Sequence, residues 1–137
     1  MVAKLVTWSI TLSAVAALSL VGTAGKGPAR DPGESLRRML VAMGNGDYPA
    51  ACEMTVEDGS PVEDGERSEC ARTLRVLAEG MRPSAVQRLR DVTVPDMSVR
   101  GARAQIRGSQ VVGLPEPLSQ WVISLVRVDD RWYVEAG

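Results

Sequence analysis

The chain has 137 residues, of which 45% are hydrophobic and 24% charged, with a formal net charge of −1; that make-up fits one globular domain and not a disordered chain. Histidine is absent, which excludes Ser-His-Asp and Cys-His catalysis, imidazole zinc sites and the usual pH switch. Lys4 is the only charged side chain in the first 25 residues, so 15 basic groups face 17 acidic ones in the rest, and there is no basic surplus for a general nucleic-acid binder.

The chain opens with Lys4, then about seventeen mostly apolar residues from Leu5 to Val21, then Gly22-Thr23-Ala24-Gly25. A positive start, an apolar middle and small residues at the end are the layout of a signal peptide, with cleavage after Ala24. The alternative is a retained membrane anchor, for which the apolar run is near the lower length limit and is diluted by five Ser or Thr residues. Residues 1–24 are therefore read as signal peptide or anchor, and both readings put the rest outside the cytoplasm. Residues 25–31, with their Pro, Gly and mixed charges, read as a linker, and 32–137 as a single domain.

A helix is expected from Pro32, capped by Asp31, with Glu34 near the positive end of its dipole. Leu36, Met39, Leu40 and Met43 form its apolar stripe, read as core and not as a groove. Gly44-Asn45-Gly46 stops it, and Asp47 caps a short second helix from Tyr48 to Met54, with Pro49 in its first turn. The stretch from Glu53 to Glu69 carries seven acidic residues against one basic. Its spacing does not fit an EF-hand loop, so it reads as a solvated acidic loop, with no metal site and no cofactor expected. A third helix follows from about Glu66 to Gly80, with Cys70, Leu74 and Leu77 on one face.

The period then changes. Val92 and Val94, then Met97 and Val99, alternate around a break at Pro95. In 101–108, Ala102, Ala104 and Ile106 alternate with Arg103, Gln105 and Arg107, giving one buried and one wet face. Arg100, Arg103 and Arg107 on that wet face either solubilise it or dock an acidic partner or lipid headgroups. Residues 111–119 read as a loop. Residues 120–128 are the most strand-like stretch, and 132–136 return as the closing strand of a hairpin. Helices first and strands after is an α+β plan, a curved antiparallel sheet with helices on one face.

Cys52 and Cys70 are the only cysteines. In an exported chain such a pair becomes a structural disulfide, and Ala50, Ala51 and Ala71 beside them let two helices approach. A loop of this size contributes about 3 kcal/mol by restricting the unfolded chain. A redox pair lacks the Cys-X-X-Cys spacing.

An exported chain, a helix ending in GNGDYPAAC, a second cysteine in ERSECARTLRVL and a terminal WVISLVRVDDRWYVEAG hairpin resemble uncharacterised actinobacterial exported proteins of the nuclear transport factor 2-like superfamily, the cystatin-like cone shared with ketosteroid isomerase. The resemblance covers roughly Asp31 to Gly137. It implies helices closing one side of a bent sheet, with a pocket at one end. Tyr48, Ile106, Trp121, Ile123, Leu125 and Trp132 are then the candidates for its lining, with Tyr48 and Trp132 also expected to pack. The absence of histidine, the short apolar sheet and the export segment point to a non-catalytic envelope domain that binds a protein partner or a small apolar ligand, touching membrane only through an uncleaved N-terminal segment. The alternative is an enzyme of the ketosteroid-isomerase kind, needing a carboxylate base and a Tyr or protonated acid as oxyanion donor. Asp91, Asp96, Tyr48 and Tyr133 supply those types.

Overall fold

The structure, a computed structural model, describes residues 27–57 and 60–135. The leader expected at 1–24 lies outside them, and among the described residues no helix is long and apolar enough to cross a membrane.

Helix α1 spans Pro32–Gly44. The Asp31 carboxylate accepts the Glu34 amide at 2.9 Å, and Pro32 occupies the first turn, where an amide donor is not needed. Gly46 turns the chain with φ of 74°, a backbone state that favours glycine. Asp47 then accepts the Ala50 amide at 3.3 Å and starts α2, Tyr48–Cys52. Both caps lie where the sequence puts them.

Next come β1 (Thr55–Glu57), β2 (Ser60–Pro61), α3 (Asp64–Glu79) and α4 (Pro83–Arg88), which runs into a 3-10 turn at Leu89–Asp91. Strands β3 (Ser98–Arg100), β4 (Arg103–Arg107), β5 (Val122–Val128) and β6 (Arg131–Glu135) follow, with 3-10 turns at Gly108–Gln110 and Leu118–Gln120 between β4 and β5. The sheet has the order β2-β1-β6-β5-β4-β3. The fold is α+β, as expected, with a mixed, unclosed sheet.

Three expectations need correction. The sheet is not wholly antiparallel: β1 pairs with β6 in parallel, Thr55 opposite Val134 and Val56 opposite Glu135. No hairpin joins these two strands, so no turn imposes the antiparallel direction. The acidic stretch is not simply a loop, because it contains β1, β2 and the first turns of α3. Residues 92–97 form no strand; Thr93 makes a single bridge to Val112, and Pro95, which has no amide hydrogen, stands before any ladder could extend.

The expected linker is also more than a tether. From Gly27 onward it is fastened to the domain. The buried Ala29 amide donates to Ser35 Oγ at 2.7 Å, and the Trp132 amide donates to the Ala29 carbonyl at 2.9 Å. Arg38 Nη1 donates to the Gly27 carbonyl at 3.1 Å.

The core lies between α1 and one sheet face. Leu36, Leu40 and Met43 of α1 meet Leu89, Ala104, Ile106, Leu125, Trp132 and Val134, all buried. Strand β4 alternates as read: Ala104 and Ile106 are buried, while Arg103, Gln105 and Arg107 are exposed. The β5–β6 turn uses Asp129 and Asp130, both at positive φ (50° and 67°), the pattern of a two-residue hairpin turn.

Candidate functional site

Helix α3 does not pack down on the sheet. Its sixteen residues bury only Cys70 and Ala78 among the side chains described, and Val76 is 61% exposed. It is fixed by the disulfide from Cys52, at the end of α2, to Cys70, with the two Cα atoms 6.1 Å apart, and by the half-buried Leu74 and Leu77, which pack against the main core. Cys52, Val62 and Cys70 form a small cluster of their own, with Ala71 and Leu74 against it. Arg67 of α3 also reaches Glu53 at 3.8 Å. The disulfide is consistent with an oxidising compartment outside the cytoplasm.

With α3 held by the disulfide and by Leu74 and Leu77 at the edge of the main core, a cleft of about 600 Å³ opens between α1, α3 and the end of the sheet. That volume is in the range of small-molecule sites, roughly 300–1,000 Å³. Leu36, Met39, Leu40 and Met43 of α1 form one wall, and Cys70, Thr73, Leu74 and Leu77 of α3 the other. The third side is the end of the sheet: Thr55 and Glu57 of β1, Val134 and Glu135 of β6, and Val122, Ile123 and Ser124 of β5, with Leu118 and Trp121 ahead of them. The stripe of α1 is thus both core and groove, which corrects its reading as core alone. Leu36, Leu40 and Met43 are buried, yet part of their surface faces the cleft.

Trp121 is held at the mouth by backbone contacts. The Gly108 amide donates to the Trp121 carbonyl at 2.7 Å, and the Trp121 amide to the Leu118 carbonyl at 3.1 Å. This close approach requires glycine, since a Cβ at 108 would collide with the Leu118 carbonyl oxygen. Trp121 is 46% exposed.

Glu57 and Glu135 are the charged side chains of the lining. Glu135 is in register with Val56 and alternates onto the outer face of the sheet with Tyr133, while Glu57 is the next residue along the parallel strand β1. Glu57 is exposed, and Glu135 Oε1 takes Arg103 Nη1 at 2.6 Å from the outer face of the sheet. The hydroxyls of the lining are mostly engaged: Thr55 Oγ1 donates to the Ala51 carbonyl at 3.2 Å and Thr73 Oγ1 to the Glu69 carbonyl at 3.0 Å.

Of the residues expected to line a pocket, Trp121 and Ile123 border this cleft. Ile106, Leu125 and Trp132 are instead buried in the core, and the Trp132 ring carries the Arg127 guanidinium at 5.8 Å. Tyr48 is half-buried at the start of α2 and is not part of the wall. The carboxylates and phenols considered for catalysis stand elsewhere: Asp91 and Asp96 are exposed, Tyr133 is half-buried on β6, and none borders the cleft. Among the described residues no group of three or more Cys, Asp or Glu is placed to hold a metal ion.

Sequence reasoning missed Glu57 and Glu135. Each is an ordinary strand-end carboxylate locally, and only the long-range parallel pairing brings both strands to this end of the sheet. The α3 stripe of Cys70, Leu74 and Leu77 was legible, but not that it faces a space. A second depression of about 650 Å³ lies between α4 and the 114–117 loop, with exposed Arg82, Arg88 and Glu116 on its rim. Compared with protein-family models, curated proteins and solved structures, the chain matches none of them.

Proposed function

We propose that this is a non-catalytic domain, exported through its N-terminal segment and either secreted or anchored at the outer face of the membrane, that takes a small apolar ligand into the cleft between α1 and α3. The observation that carries this reading is the cleft itself: about 600 Å³, walled by Leu, Met and Ile side chains and edged by a half-exposed Trp121. Concave apolar sites with few polar groups are the usual form of ligand pockets. A binding role is favoured over the ketosteroid-isomerase-like alternative by the position of Asp91, Asp96, Tyr48 and Tyr133, all away from the cleft wall.

The nuclear transport factor 2-like cone remains our proposal for the fold family. Its support is the order of helices before the main strands, the packing of α1 on one sheet face and an opening at one end of the sheet.

The test is native mass spectrometry of the full-length gene product recovered from its own cell envelope. The expected result is an added mass that leaves on denaturation, on a chain carrying the disulfide. A bare chain would contradict a ligand-binding role. The same spectrum reads whether residues 1–24 are removed.

A further inference from the structure

Helix α1 packs on one face of the sheet. The strand registers define what lies on the other. Arg103 and Arg107 of β4 stand opposite Val126 and Val122 of β5, and Arg100 of β3 stands opposite Arg103. Across β5, Val126 and Val128 stand opposite Tyr133 and Arg131 of β6. The Gln105 Nε2 donates to Ser124 Oγ at 3.2 Å on the same face. All four arginines are exposed, and Val122 is 62% exposed. A column of valines on β5 is thus flanked by arginines on both sides.

Charge is the first guide to what this face meets. The chain carries 16 basic and 17 acidic groups, yet among the described residues the outer face of β3 to β6 holds four arginines and one carboxylate, Glu135. That carboxylate is already engaged by Arg103 at 2.6 Å, and Asp129 and Asp130 stand beyond the face, in the β5–β6 turn. Arg100 and Arg103 oppose each other directly, a like-charge pairing that costs stability until an anion lies over both. A second copy of the chain docked on this face would set arginine against arginine. Guanidinium groups pair with phosphate oxygens through two parallel hydrogen bonds. The path of the chain is the second guide. Five residues, Gly22 to Lys26, separate the apolar N-terminal run from the described domain, and they span at most about 20 Å. The chain then joins the sheet where the Trp132 amide donates to the Ala29 carbonyl, next to Arg131. In an anchored chain that short connection holds the β6 side of the face near the lipid headgroups.

We propose that the outer face of β3 to β6 docks on an anionic phospholipid surface. Arg100, Arg103, Arg107 and Arg131 meet the phosphates, and the β5 valines between them meet the acyl boundary. This adds a second membrane contact to the one expected of the N-terminal segment. It is independent of the ligand reading of the cleft, which lies on the α1 side of the sheet.

Phenylglyoxal, an uncharged reagent for accessible arginines, tests the docking on the full-length protein mixed with vesicles, with modification read at each arginine by mass spectrometry. Arg100, Arg107 and Arg131 should react several-fold more slowly on phosphatidylglycerol than on phosphatidylcholine vesicles. Arg72 and Arg75, exposed on α3, should react alike on both, and high salt should erase the difference. The N-terminal segment is the same in both arms and cannot produce it. Each arginine near an anionic surface changes membrane affinity about fivefold, so Arg100→Gln with Arg107→Gln should release Arg131 from protection. The wild-type comparison decides even if that variant fails to fold. Equal reactivity of the face on the two vesicles would overturn the proposal. So would equal protection of Arg72 and Arg75, which would mean attraction of every arginine to the surface. Protection of the face by polyglutamate and not by phosphatidylglycerol would overturn it in favour of an acidic protein partner.

Discussion

Helices α1 and α3 both lie along the cleft, yet different forces hold them. Helix α1 buries Leu36, Leu40 and Met43 to 4% exposure or less against Leu125, Trp132 and Val134. It is also capped by Asp31 and joined through Ser35 to Ala29. Helix α3 has no side-chain cap hydrogen bond and keeps most of its surface in water. Its position depends on a covalent bond to α2, a three-residue cluster, a long ion pair and the half-buried Leu74 and Leu77 at the edge of the main core. Where apolar burial suffices, the interior is filled. Where it does not, a crosslink and a few edge contacts hold a helix away from the sheet and leave the cleft open. A helix drawn in by burial alone would have closed that space.

The largest expected effect is on the filled side. Leu125 is fully buried among residues from α1, β4 and β6, so Leu125→Ala should lower global stability by about 3–5 kcal/mol, read by urea denaturation. The disulfide comes next. Cys52→Ser with Cys70→Ser should cost about 3 kcal/mol and weaken ligand binding well beyond what Leu125→Ala does, because it frees one wall of the cleft. If the two variants lost stability and binding in the same proportion, the contrast between the helices would be wrong.

Ser35→Ala should cost about 1–2 kcal/mol, since the buried Ala29 amide then loses its acceptor. A change within a few tenths would mean that residues 27–31 are a tether after all. The smallest effect concerns pH. The Arg37 hydrogen bond holds the Glu34 carboxyl below its ordinary value of 4.5, against the opposing effect of burial. A lowered folded-state value stabilises above the ordinary value and is lost as pH falls through the folded one. Glu34→Gln should therefore flatten the acid limb of the stability curve below about pH 4.5 and change little at neutral pH; an unchanged acid limb would contradict the pairing.

Features written in adjacent residues were legible in the sequence. Asp31 and Asp47 announce helix starts, Gly44-Asn45-Gly46 a stop, Asp129-Asp130 a hairpin, and the strict alternation in β4 its two faces. The cysteine pair was legible because two cysteines in an exported chain leave one partner each. Features that depend on distant pairing were not. Strands β1 and β2 are three and two residues long, too short for a period, and the parallel β1–β6 pair unites residues nearly eighty positions apart. Trp121 reads as strand because it precedes Val122, but the turn fixed by Gly108 leaves it at the rim. The cleft has no sequence signature of its own, since apolar stripes that meet and apolar stripes that stand apart look alike.

Hydrogen exchange resolved by residue, on the oxidised and the reduced full-length protein, tests most directly whether the two helices are held by different forces. Reduction should strip protection from α3 amides between Arg67 and Leu77 while α1, β4, β5 and β6 keep theirs. Unchanged protection in α3, or an equal loss across α1 and the sheet, would contradict a cleft whose second wall is held in place by the Cys52–Cys70 bond.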